Sequence, residues 1–163
     1  MLGFGNPFSA PFWTDVEWGD IEISPPFLTF ADRVTHFVDD LRVEVIHPGT
    51  PGHTTNDSVV WIPEHRVAFT GDLVFNGGTP FLLIGSPAGA LDGLAMIREL
   101  GATTLVSDLG EFAGLTDPER IVGNLHRAYA ELGGGERGAL IDMRGALADM
   151  VTFNGGKPLT CHA

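Results

Sequence analysis

Cysteine is nearly missing from this 163-residue chain. Its single thiol, Cys161, excludes an internal disulfide framework and a Cys-x-x-Cys metal site, and it fits a reducing compartment. Basic residues are scarce as well. Nine Lys and Arg stand against 21 Asp and Glu, a formal charge of −12, and the only lysine is Lys157. A chain this acidic repels phosphate backbones, which argues against a nucleic-acid partner. No uncharged apolar run reaches the roughly 18 residues that span a bilayer. Residues 1–11 have no basic residue ahead of an apolar stretch, and their Pro and Gly would break a signal helix. The expectation is a soluble, cytoplasmic protein with no membrane partner. Walker A, dinucleotide-glycine and Gly-x-Ser-x-Gly motifs are all absent, as are internal repeats and low-complexity stretches.

What remains is enough for one packed domain: 44% hydrophobic and 18% charged residues, with 22 Gly and 11 Pro. That balance suits a loop-rich α/β or α+β protein and argues against a coiled coil or helical bundle. Residues 1–26 are irregular and aromatic-rich, with Phe4, Phe8, Phe12, Trp13 and Trp18, and are expected to lie over something apolar. Residues 27–106 hold the sheet, a candidate site loop and a first helix; 107–163 form a helical extension. Short β-type runs cover Phe27–Phe30, Val34–Val38 and Arg42–Ile46. Ser58–Ile62 and Arg66–Thr70 flank Pro63-Glu64-His65, the length and chemistry of a hairpin turn. Ser86-Pro87 caps a helix with Leu91, Leu94, Ala95 and Leu100 as its apolar face and Gly101 as its stop. Thr103–Val106 reads as a short buried strand. Thr116-Asp117-Pro118-Glu119 is a capping box for a helix with Ile121, Leu125, Ala128 and Leu132 on its packing stripe, ended by Gly133-Gly134-Gly135. A last amphipathic segment spans about 142–151.

The stretch Pro51–Phe81 carries the chemistry. His53 lies in a Gly/Thr-rich loop just before one strand of the hairpin, and the other strand ends in Thr70-Gly71-Asp72. Two strands joined by a tight turn bring their outer ends together, so His53 and Asp72 should meet at one sheet edge. An imidazole beside a carboxylate is either a hydrogen-bonded loop closure or half of a metal site. Asp57, four residues after His53, would orient the loop or the ring. The loop Phe75–Phe81, with Asn76, Gly77, Gly78, Thr79 and Phe81, either lines a substrate pocket or makes a tight turn between sheet and helix. The polar residues Glu119, Arg120, Asn124, His126 and Arg127 read mainly as a solvated helix face, with His126 and Arg127 facing away from Leu125 toward a ligand or partner. The terminal Cys161-His162 pair lacks the structural support a nucleophile needs.

Pro51-Gly52-His53-Thr54, the hairpin and Thr70-Gly71-Asp72, followed by a glycine loop, a helix and a strand, resemble the C-terminal half of the metallo-β-lactamase fold. The likeness is strongest over about 40–106, and a narrower one points to hydrolases grouped with the thioesterase/cyclases of aromatic polyketide biosynthesis. The resemblance implies an α/β, sandwich-like fold with a mostly antiparallel sheet and flanking helices. It also implies zinc-dependent hydrolysis of an ester, thioester or lactam-type bond in a small-molecule substrate, or related cyclase chemistry. In that scheme His53 ligates one metal and Asp72 bridges two, with Thr54 and Asp57 supporting them and Asn76–Phe81 shaping the pocket.

The chain departs from that family in two places. The family's His-x-His-x-Asp-His signature is absent, since no two of the six histidines (His36, His47, His53, His65, His126, His162) stand two apart. The Gly-His loop expected after the strand Thr103–Val106 is replaced by Ser107-Asp108-Leu109-Gly110, where Asp108 is a candidate substitute ligand. A catalytic zinc takes about three protein ligands, so a shortened domain with impaired turnover is expected. The alternative is a non-catalytic remnant that binds a small molecule, itself or a protein partner across an open sheet edge.

Overall fold

A computed structural model describes residues 24–108 and 117–159 of the chain. It holds one five-stranded sheet in the order β1 (Arg33–Val38), β2 (Leu41–Ile46), β3 (Val59–Ile62), β4 (Val67–Phe75), β5 (Thr104–Asp108). The first three pairings are antiparallel and β4–β5 is parallel. This is the mostly antiparallel α/β architecture expected, with α1 (Pro87–Glu99), α2 (Arg120–Leu132) and α3 (Met143–Phe153) flanking the sheet. The β3–β4 hairpin turns through a short 3-10 segment, Pro63–His65, where Pro63 sets φ and Arg66 takes the left-handed conformation. No helix among the described residues is long and apolar enough to cross a membrane.

Side chains alternate across a strand, so the register separates the two faces of the sheet. Ile46, Val59, Trp61 and Ala68 point to one side and pack with Leu73 and with Ile97 of α1. A second core gathers Leu83, Ala146, Met150 and Leu159 beneath α2 and α3. The opposite face carries Val34, Val45, Val60, Phe69 and Val106 in one row across all five strands. Phe69 and Val106 remain about two-fifths exposed among the described residues.

Several local expectations need correction. Phe27–Phe30 forms no strand and is exposed; Pro25-Pro26 just before it remove two amide donors. The strand bearing Thr70-Gly71-Asp72 does not stop there but continues to Phe75, with register shifts after Phe69 and Gly71. Gly71 takes a positive φ of 50° at that irregularity, which favours glycine. Strand β5 is an edge strand, so Leu105 and Val106 are exposed rather than buried.

Helix α1 starts as expected, with the Ser86 side chain accepting from the Gly89 N–H. Its buried face, however, is Gly89, Ala90, Gly93 and Ile97, while Leu91 and Leu94 are exposed. Glycine stands inward at 89 because the His53 loop approaches the helix backbone there too closely for a Cβ. Helix α2 is reversed from its expected orientation. Ile121, Leu125 and Leu132 face outward, and Gly123 and Arg127 are buried. Helix α3 is capped by Asp142, whose carboxylate accepts from the Gly145 N–H. Of the residues singled out in the sequence, those in 1–23, Leu109, Gly110, Thr116 and the Cys161-His162 pair lie outside the described residues.

Candidate functional site

The loop from Pro51 to Asp57 is closed by one carboxylate. Asp57 accepts from the N–H groups of Gly52 and Thr54 and from the Thr54 hydroxyl, all within 2.8–3.1 Å. The loop then docks on the start of α1, where the Ser86 N–H donates to the Gly52 carbonyl at 2.8 Å. Two glycines make this docking close enough: a Cβ at Gly85 would stand 1.8 Å from the Gly52 oxygen, and one at Gly89 1.8 Å from the Pro51 oxygen. Backbone approach of this kind is a recurring use of glycine.

His53 is thereby held between two partners. Its Nδ1 lies 2.5 Å from the backbone oxygen of Phe81, and its Nε2 lies 3.4 Å from Asp72 Oδ2. A carbonyl can only accept, so the Nδ1 proton is assigned by its partner. Nε2, the nitrogen that carries no proton in that neutral form, then faces the Asp72 carboxylate. The rings of Phe75 and Phe81 flank the imidazole with centroids 6.0 and 6.2 Å away, and they keep its surroundings apolar. Metal-binding histidines commonly donate their second ring N–H to a carbonyl in this way.

His53 and Asp72 offer one nitrogen and one carboxylate, while a catalytic zinc takes about three protein ligands plus water. Among the described residues no group of three or more His, Cys, Asp or Glu converges to hold a metal ion. The pair therefore suits part of a zinc site and does not complete one. Asp108 pairs with Phe75 through its backbone at the end of β5, but its side chain lies outside the described residues.

The remaining expected site residues lie close by. Gly78 and Thr79 are buried, Asn76 is exposed, and Gly77 takes a φ of 88°. Within this stretch Phe75 and Pro80 border an apolar cavity of about 390 Å³ shared with Leu73, Leu82 and Leu94. Of the helical polar residues, His126 does not reach the site; it pairs with Asp149 of α3 at 2.9 Å.

The sequence reading missed the inner face of α2. Arg120, Asn124 and Arg127, spaced along one helix face, bond to the backbone of the segment Thr79–Leu83. Arg127 is 2% exposed and places its guanidinium on the Leu83 and Ala139 carbonyls. Burial pushes that group below its ordinary pKa, and the Glu131 carboxylate pulls it back. Polar residues at spacings of four and three were the available signal, masked by a stronger apolar stripe on the other face.

A family model described as the metallo-beta-lactamase superfamily matches residues 4–142. Two curated relatives are each named hydroxyacylglutathione hydrolase. The one from Thermosynechococcus vestitus is 36% identical over 104 residues, covering 61% of this chain and 38% of the relative. The one from Rhodospirillum rubrum is 40% identical over 76 residues, covering 47% and 28%. The chain thus spans well under half the length of either. A solved structure, a metallo-beta-lactamase from Pontibacter korlensis, aligns at 23% identity and a TM-score of 0.46, over 56% of this chain and 44% of that one.

Proposed function

Because the chain belongs to the metallo-β-lactamase superfamily, we propose that it carries the His53–Asp72 portion of a metal-dependent hydrolase acting on a small thioester. The observation that carries this reading is the His53 ring, fixed by the Phe81 carbonyl so that Nε2 faces Asp72 at 3.4 Å. The names of the two curated relatives support the thioester class over ester, lactam or cyclase chemistry, because hydroxyacylglutathione is a thioester.

In this reading His53 and Asp72 hold the metal, zinc by family resemblance, and Asp57 with Thr54 closes the loop that presents His53. Zinc, when bound, supplies Lewis acidity and lowers the pKa of bound water. The loop Asn76–Phe81 borders the substrate, and Phe75 and Phe81 exclude water around the imidazole. With only two of the ligands in the described residues, turnover by this chain alone is slow or absent. The test is cleavage of a hydroxyacylglutathione, followed by loss of thioester absorbance with added zinc and with a chelator. Any cleavage is expected to need zinc and to vanish in His53→Ala. Hydrolysis at the same rate in chelator, or unchanged in His53→Ala, overturns the reading.

A second reading, a non-catalytic protein that associates with itself or a partner, is favoured by the apolar row Val34–Val45–Val60–Phe69–Val106 on the sheet face away from α1. An apolar face of that extent suits a protein contact.

A further inference from the structure

The segment Thr79–Leu83 joins the glycine loop to α1 without a strand partner among the described residues, yet each of its five carbonyls is satisfied. Arg120 Nη1 donates to the Thr79 oxygen at 3.3 Å. Asn124 Nδ2 donates to the Pro80 oxygen at 2.7 Å, and the Leu82 N–H donates back to Asn124 Oδ1 at 2.7 Å. Arg127 holds the Leu83 oxygen through Nε and Nη2, at 3.0 and 2.9 Å. The Leu82 oxygen accepts from the Gly85 N–H in a turn. The remaining carbonyl, that of Phe81, is the one that receives His53 Nδ1.

Helix α2 therefore serves this segment as a strand would, with side chains in place of a backbone ladder. Asn124 grips the chain on both sides of Phe81, and the Arg120 guanidinium lies over the Phe81 ring at 5.8 Å from its centroid. A side-chain amide that both donates and accepts suits this task, because the flanking groups are one carbonyl and one N–H.

The geometry points to Asn124 as a positioning residue for His53. By fixing the peptides on either side of Phe81, it aims the Phe81 carbonyl at Nδ1, sets the ring's tautomer and turns Nε2 toward Asp72. Its bearing on catalysis rests on the proposed function, but its effect on the ring does not. The buried Arg127 and the ring-stacked Arg120 anchor the two ends of the same segment.

The test is the nitrogen–proton NMR spectrum of the His53 imidazole in metal-free protein at mildly alkaline pH. The wild-type chain is expected to show one neutral tautomer, with the proton on Nδ1. Asn124→Leu, which keeps the volume and removes both hydrogen bonds, is expected to lose that single form and to show the Nε2-protonated tautomer. Leu125→Ser, on the exposed side of the same helix, is expected to leave the spectrum unchanged. A folded Asn124→Leu protein with the wild-type His53 spectrum overturns the proposal and leaves Asn124 a fold-supporting residue only. Should Asn124→Leu not fold, Asn124→Asp keeps the acceptor for the Leu82 N–H and loses the donor to the Pro80 carbonyl. It is expected to give a mixture of tautomers, and a wild-type spectrum there overturns the proposal. Because no metal or substrate is added, this outcome is independent of whether the chain binds zinc or cleaves a thioester.

Discussion

Replacing Gly89 by alanine sets two effects of opposite sign against each other. In a helix interior alanine is favoured over glycine by about 0.8–1 kcal/mol, so propensity alone makes the change stabilising. At Gly89, however, the new Cβ would stand 1.8 Å from the Pro51 oxygen and 2.6 Å from Thr50 Oγ1. The obstacle is backbone, and it is pinned: Gly52, next to Pro51, is held by Asp57 and by the Ser86 N–H. The loop would have to move by over an ångström, at the upper end of the roughly 1–3 kcal/mol that overpacking costs. The net expectation is a loss of about 2 kcal/mol, or roughly 4–8 °C in Tm for a domain of this size. Gly93, one turn later in the same helix, is the control. A Cβ there meets Leu73 and Pro48 at 3.7 Å, ordinary contact distance, so Gly93→Ala should raise Tm by about 2–4 °C. Thermal unfolding followed by circular dichroism reads both. A Gly89→Ala protein as stable as wild type would refute the docking of the His53 loop on α1, and a destabilised Gly93→Ala would refute the room for a Cβ at that position.

Removing the Asp57 carboxylate with alanine strands the Gly52 and Thr54 N–H groups, and unfolding curves should show a loss of about 2 kcal/mol. Arg127→Met leaves the Leu83 and Ala139 carbonyls without their donors in a buried place. That variant should lose about 3 kcal/mol in denaturant titration. Arg127→Lys should recover less than half of it, because an ammonium cannot reproduce the guanidinium fork. Phe69→Lys, on the half-exposed sheet face, should change Tm little. If that face mediates self-association, the same variant should be more monomeric in sedimentation velocity, and equal association in both proteins would argue against that surface.

The hairpin geometry was legible because strand pairing follows from local pattern: the turn Pro63-Glu64-His65 set the register, and the register brings Asp72 to His53. The Ser86 cap and the Gly133 stop were legible for the same local reason. The helix faces were not. An apolar stripe is normally a helix's packing face, yet Ile121, Leu125 and Leu132 face outward on α2. Besides α3, the inner face of α2 meets a bare backbone segment whose carbonyls require donors, and a one-dimensional pattern does not show that demand. Gly89 of α1 follows the same logic, since only the three-dimensional approach of the Pro51 carbonyl explains why a larger residue is excluded there. The Phe81 carbonyl, which decides the orientation of His53, is a main-chain group and leaves no trace in residue identity.

Zinc titration by calorimetry tests most directly whether His53 and Asp72 act together as a metal-holding pair. Wild-type protein should take up zinc weakly, and His53→Ala and Asp72→Ala should each abolish the uptake. His126→Ala, which breaks the other histidine–aspartate pair of the described residues, should leave it unchanged. Wild-type protein that takes up no zinc, or uptake that survives His53→Ala and Asp72→Ala, would contradict that role.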